Sequence, residues 1–407
     1  TGGQNTAIGK LALKANTTGA SNVAVGYGAL DANTTAANNV GVGYDALTAN
    51  TTGASNVGIG RDALKANTTA ANNTAVGYSA LTANTTGTAN VAVGKATLAE
   101  ATTADGNTAV GYASQDNTTT GANNTALGRH SMDGNTTGAD NVGVGAYALA
   151  GNTTASNNTA IGKSALYANT TGTNNVSVGK DAGTAVTTGG ANTFVGSLAG
   201  DALDDSHNNV AVGTSALSAN CGSDNVAIGK SAGVAITGEH NTIMGYYAAG
   251  QLSSGSRNLC LGHESGSNLF SNGLFQLTTQ DDRIVLGTTE ATHAYIQIDW
   301  TVVSDERDKT EIEDVAHGLN FVKQMRPISY KFNTSREDST AKGNTKYGFS
   351  AQDVLALEGD NPVIADNEDT NKLKLTSAHI IPVLVKALQE LSAKNDALEA
   401  RLTTLEG

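Results

Sequence analysis

The sequence predicts a mainly-β protein: a parallel β-solenoid of 16 coils, a capping segment, and a small α/β domain ending in a long coiled-coil helix. Three observations predict it. A pentapeptide Asn-x-small-aliphatic-Gly returns every 17 residues. Charge is sparse and then abrupt, with 30 charged residues in positions 1–300 and 31 in positions 301–407. The last segment carries leucines at alternating steps of four and three.

Composition leaves two readings of the long first part. The 407 residues include 48 Gly but only 3 Pro and 1 Trp, so the large side chains of an ordinary core are missing. Such a chain is either disordered or a repeat that stacks small residues. Register decides. The pentapeptide begins at Asn5, Asn22, Asn39, Asn56, Asn73, Asn90, Asn107, Asn124, Asn141, Asn158, Asn175, Asn192, Asn209, Asn225, Asn241 and Asn258. Only two of those steps, late in the series, are 16 rather than 17. A disordered tract has no reason to keep such spacing.

Each copy has a legible chemistry. Its second and fourth positions (Val23 and Val25, Thr74 and Val76) share one face of a strand. Between them lies a small residue (Ala24, Gly41, Ala75), so something must approach that face closely. The fifth residue is Gly, as at Gly26, Gly77 and Gly162, marking a turn or a conformation that excludes a side chain. Ala-Leu follows (Ala29-Leu30, Ala80-Leu81), then Asn-Thr-Thr corners at Asn16, Asn33, Asn50, Asn67 and Asn84, read as turn formers. Two short strands and two turns per coil, stacked at about 4.8 Å, give a rod of roughly 75 Å. Each coil supplies few aliphatic side chains, so rods are expected to associate through the small-residue face.

The NTAIG/NVAVG–AL–NTTG pattern resembles the head repeats of trimeric autotransporter adhesins and of phage fibre proteins. The resemblance covers residues 5 to about 266 and implies three parallel rolls around an axis, a homotrimer. Residues 1–266 are therefore read as the rod. In 267–303 the rhythm fails, and Phe270, Phe275, Ile284, Leu286, Tyr295, Ile296, Ile298 and Trp300 are expected to cap it.

From Ser304 the sequence is that of a mixed α/β domain. Leu319, Phe321, Val322 and Met325 have helical spacing, Pro327 breaks it, and Ile328, Tyr330 and Phe332 alternate as a strand. KYGFSAQDVLAL reads as a strand running into a helix. In the last helix, about 380–406, Leu384, Leu388, Leu391, Asn395, Leu398, Leu402 and Leu405 form a heptad, with Asn395 at a position that sets register.

SDERDK at Ser304–Lys309, LNFVKQMRPISYKF, GFSAQDV at Gly348–Val354 and the terminal ALEARLTTLEG together resemble the intramolecular chaperone domain of endosialidases and other phage tail fibres. The resemblance spans 304–407. It implies a domain that trimerises the fibre and then cuts itself off, a single-turnover self-cleaving serine peptidase. Carried over, the scissile bond is Val303–Ser304, the nucleophile Ser304 and the base Lys309. Residues five apart lie about 140° apart on an α-helix and on opposite faces of a strand, so only a turn or a subunit contact can join the two. A lysine amine accepts a proton only when neutral, so burial on assembly is the expected switch, with Asp305, Glu306, Asp308 and Glu311 turned away.

The remaining signals narrow the alternatives. A net charge of −13 offers no surface for nucleic acid or anionic membranes. No apolar run reaches about 18 residues, and no signal peptide is recognisable. Thr1 falls in mid-pattern, so the chain reads as an excerpt of a longer protein. Cys221 and Cys260 form no framework and no metal-ligand spacing, and no metal or other cofactor is expected. An enzyme acting on an external glycan would need convergent carboxylates, whereas Asp31, Asp45 and Asp62 are scattered on turns. The expected function is a virion tail fibre for host attachment, with a host cell-surface glycan or protein as partner. The alternative is a bacterial surface adhesin whose C-terminal domain only trimerises.

Overall fold

The computed structural model describes residues 2–267, 275–288, 291, 304–333, 338–368, 370 and 373–406. The chain divides into two compact units, Thr1–Glu290 and Ala291–Gly407.

The first unit is a β-solenoid whose coils contribute to one 17-stranded sheet. Each coil places a three-residue strand beside its counterpart in the next coil, parallel and in register. Thr6–Ile8 (β1) pairs with Val23–Val25 (β2), and the series runs on to Leu259–Leu261 (β16). The sheet then gains a rung beyond the sixteen copies. Ile284–Leu286 (β17) pairs with β16 after a step of 25 residues, with the Arg283 N–H donating to Asn258 Oδ1 at 2.9 Å. Of the other bulky residues expected to cap the rod, Phe275 packs against the solenoid core, while Phe270, Tyr295, Ile296, Ile298 and Trp300 lie outside the described residues.

Two details of the coil differ from the sequence reading. Each coil has one strand, not two. The Ala-Leu segment bonds to both neighbouring coils, Gly28 N–H to Lys10 O and Leu30 N–H to Ala46 O, but with positive φ at Gly28 and Leu30 instead of extended backbone. That conformation turns Leu30 into the coil, where it is fully buried.

The strand faces are also reversed from the expectation. The small middle residue points inward and the flanking aliphatics point out: Ala24, Ala75 and Ala109 are fully buried, while Ile59, Val93, Val110, Leu127 and Ile161 are exposed. The reason is the inward leucine. A Cβ at Gly41 would lie 3.3 Å from Leu30 Cγ, and one at Gly58 would lie 3.2 Å from Leu47 Cγ. A leucine and a small residue share one layer, and two large residues would not fit. Where the leucine column switches to glycine the middle residue enlarges: Phe194 lies over Gly183 and Gly200, and Ile243 beside Gly233. The apolar surface left open is therefore the aliphatic face.

Asparagines hold the coils together from inside. From Asn22 on, the first residue of the pentapeptide is buried, and its Oδ1 accepts the backbone N–H of the equivalent Asn one coil on, as in Asn90 N–H to Asn73 Oδ1 at 2.9 Å. Except at Asn209, its Nδ2 reaches a carbonyl of the next corner, as in Asn73 to Gly87 O at 2.9 Å. The corner asparagines form a second buried ladder, Asn67 Nδ2 to Asn50 Oδ1 at 2.8 Å and Asn84 Nδ2 to Asn67 Oδ1 at 2.9 Å. They do more than turn the chain. Later this ladder gives way to apolar Val186, Leu203, Ile236 and Leu252. Asn73→Ala should strand the buried Asn90 N–H and lower the stability of the rod by about 2 kcal/mol, read as a lower thermal midpoint.

Both thiols are buried. Desolvation pushes Cys221 up to about 11 and Cys260 up to about 12, so neither is a ready nucleophile or ligand.

The second unit has a short helix, a hairpin and two further helices. Leu319–Gln324 (α1) precedes the antiparallel strands Ile328–Asn333 (β18) and Ala341–Gly348 (β19), followed by Ala351–Glu358 (α2) and a two-strand pair, Ala365–Asp366 (β20) with Lys374–Leu375 (β21). Ser350 caps α2 by accepting the Asp353 N–H, and Pro327 follows the end of α1. Ile380–Glu406 (α3) packs Ile380 and Val383 on Phe321, Met325, Val354 and Ile364. The Glu390 carboxylate accepts the Leu319 N–H at 2.8 Å and so caps α1 from α3. The heptad residues Leu384, Leu388, Leu391, Leu398, Leu402 and Leu405 face away, exposed.

Candidate functional site

The charged stretch at the start of the second unit folds into a single 3-10 turn, Glu306–Asp308. Asp305 makes that turn. Its carboxylate accepts the Arg307 N–H at 2.9 Å, and its carbonyl accepts the Asp308 N–H at 3.2 Å. Arg307 then folds its guanidinium back onto the same carboxylate, with Nε 3.0 Å from Oδ1. The Arg307 side chain, and secondarily its N–H, hold the Asp305 carboxyl below the usual carboxylate range. Asp305 stays ionised as pH falls through that range and loses its grip on the turn only in stronger acid. Its local part is to cap and brace the turn.

The turn brings the two expected residues together. Lys309 Nζ donates to Ser304 Oγ at 2.9 Å and to the Ser304 carbonyl at 3.1 Å. A spacing of five, unfavourable on either a regular helix or strand, is satisfied because the chain reverses at Glu306–Asp308. Among the described residues no carboxylate lies within ion-pair distance of Lys309. Glu306, Asp308 and Glu311 therefore do not claim the amine. Both Ser304 and Lys309 are exposed in the single chain. Val303, whose carbonyl would be attacked, lies outside the described residues.

This geometry lies at the edge of a recognisable segment. Residues 304–361 match a peptidase-family model described as the chaperone of endosialidase. The match opens on Ser304 and ends before α3, so it includes the turn, α1, the hairpin and α2. No curated protein and no solved structure matches the chain.

The matched segment is thinly covered in a single chain. Phe332 and Tyr347 on the hairpin are exposed, Tyr347 at 88%. Sequence reasoning did not single out Arg307, whose fork onto Asp305 braces the turn. Its signal was the alternation of charge in Asp-Glu-Arg-Asp-Lys. Among the described residues no cluster of three or more His, Cys, Asp or Glu could hold a metal, and no helix is long and apolar enough to cross a membrane.

Proposed function

We propose that the chain is a homotrimeric fibre whose C-terminal unit directs assembly and then cuts the Val303–Ser304 bond, releasing a mature rod for attachment to a host surface. A β-solenoid rod joined to a chaperone-of-endosialidase segment fits a fibre with a chaperone domain. The single observation that carries the cleavage reading is the 2.9 Å contact of Lys309 Nζ with Ser304 Oγ at the first residue of the matched segment.

The chemistry is an acyl shift followed by hydrolysis. Neutral Lys309 takes the Ser304 Oγ proton as the oxygen attacks the Val303 carbonyl carbon. The Val303–Ser304 C–N bond breaks, the Ser304 nitrogen receives that proton, and the Val303 acyl group rests on Oγ as an ester. Water then hydrolyses the ester, leaving a Val303 carboxylate and a free Ser304 amine. The exposure of both residues in one chain supports a switch: packing of three chains supplies the dry surroundings that favour the neutral amine.

The outward aliphatic columns of the rod and the outward heptad of α3 support self-association. Both Leu388 and Leu391 lie off the core of their own unit, so Leu388→Asp with Leu391→Asp leaves that core intact. Denaturing electrophoresis should show two bands for the assembled wild type and one for this double variant, which sediments as a monomer. A trimeric wild type that remains one full-length band overturns the cleavage reading.

A further inference from the structure

The residue that follows the strand glycine forms an exposed column along the rod: Lys10, Tyr27, Tyr44, Arg61, Tyr78, Lys95, Tyr112 and Arg129 on eight successive coils. From Tyr27 to Tyr112 its members touch in an unbroken series. Tyr27 stacks on Tyr44 at 5.2 Å, and Arg61 lies over Tyr44 and Tyr78 at 5.5 and 5.8 Å. Lys95 lies over Tyr78 and Tyr112 at 5.8 and 5.7 Å. Beyond Tyr112 the ring contacts pass beside the column, through His130 and Tyr147 to Tyr167.

Charge is sorted into this column. Residues 2–267 hold ten Lys or Arg, and seven of them stand here: Lys10, Arg61, Lys95, Arg129, Lys163, Lys180 and Lys230. None of the 15 Asp and Glu of the same span does. Arg61 and Lys180 share neighbouring aspartates, but among the described residues no carboxylate pairs with Lys95, Arg129 or Lys163. A ladder built only to hold coils together would pair its charges, as Lys65 does with Asp62 and Asp45.

From these observations we infer that the column binds an extended polysaccharide carrying carboxylates. Arg61, Lys95, Arg129 and Lys163 recur every second coil, about 10 Å apart at the coil spacing. Tyr78 and Tyr112 lie between them and Ala146 leaves a gap. One cation per two coils matches one carboxylate per disaccharide, with tyrosine edges and hydroxyls for the intervening sugar. It is too sparse for nucleic acid, whose charge comes every 1.7 Å or so of duplex. The inference rests on the attachment reading above for its purpose. It concerns the rod alone, so cleavage can fail while binding holds, and the reverse.

Hyaluronan, with one carboxylate per disaccharide, is the probe, and its methyl ester the control. Calorimetric titration of the full chain should show binding to hyaluronan that weakens with salt, and none to the ester. The triple variant Arg61→Ser, Lys95→Ser, Arg129→Ser should bind roughly tenfold or more weakly with an unchanged thermal midpoint, since Ser197 and Thr214 already occupy this column. Equal binding of the ester, no binding of hyaluronan, or undiminished binding by the variant overturns the inference. So does a changed oligomeric state in the variant, which would make the column a contact between copies.

Discussion

Ser304→Ala is expected to leave one full-length chain on a denaturing gel, where assembled wild type gives a large fragment and one of about a quarter of the mass that begins at Ser304. Without Oγ no acyl shift can start, so the loss should be complete. Lys309→Ala should slow the cut by about 10²–10⁴-fold, the range for removing a general base. Lys309→Arg separates chemistry from shape. Arginine can keep a donor near Ser304 Oγ, yet its guanidinium does not deprotonate in proteins and cannot take the proton. It should assemble as wild type and remain uncut. N-terminal sequencing of the small fragment identifies the bond. Cleavage of Ser304→Ala at the wild-type rate, or a fragment starting elsewhere, would remove Ser304 from the proposed role.

The second large effect concerns the rod. Gly77→Ala should destabilise it by more than about 3 kcal/mol, seen as a lowered thermal midpoint and loss of β-signal. Gly77 has φ +143°, a region closed to residues with a side chain, and a Cβ there would meet the Gly94 carbonyl of the next coil. Backbone lies on the far side of the clash, so no rotamer change relieves it. Gly94 has the same geometry against Gly111, and Gly60 against Gly77. Relief at one coil therefore requires moving the next. Ala substitution at Gly3, whose Cβ would meet nothing within 4 Å, should be nearly silent.

Much of this architecture was legible because stacking forces identical residues into identical places. The 17-residue step of the pentapeptide is the rung-to-rung pairing itself, Val23 to Val40 and Val40 to Val57. The strand glycines and the short elements of the second unit also followed from local rules. What misled was the choice of inward face. Alternation says only that Val23 and Val25 lie together and Ala24 opposite. Hydrophobicity alone would bury the valines. The clue was in the sequence as a trade: Leu-x-x-Asn in early coils becomes Gly-x-x-Val at 183–186, and the middle strand residue grows to Phe194 just after. That exchange makes sense only if leucine and middle residue fill one space.

At the candidate site the residue types were readable but their meeting was not. Ser304 and Lys309 stood out beside each other in a charged run, while helix and strand geometry both kept them apart. The Asp305 cap and the Arg307 brace close the turn that joins them, through contacts spanning two residues that no periodicity records.

The sequence by itself therefore determined the coil period, the parallel register, the glycine after each strand of the rod and the outward heptad, because each is set by backbone geometry repeated along the chain. Only the tertiary structure decided which strand face is core, that the corner asparagines form a buried ladder, and that Lys309 reaches Ser304. Those depend on which side chains compete for the same enclosed space, and on where one turn points its ends.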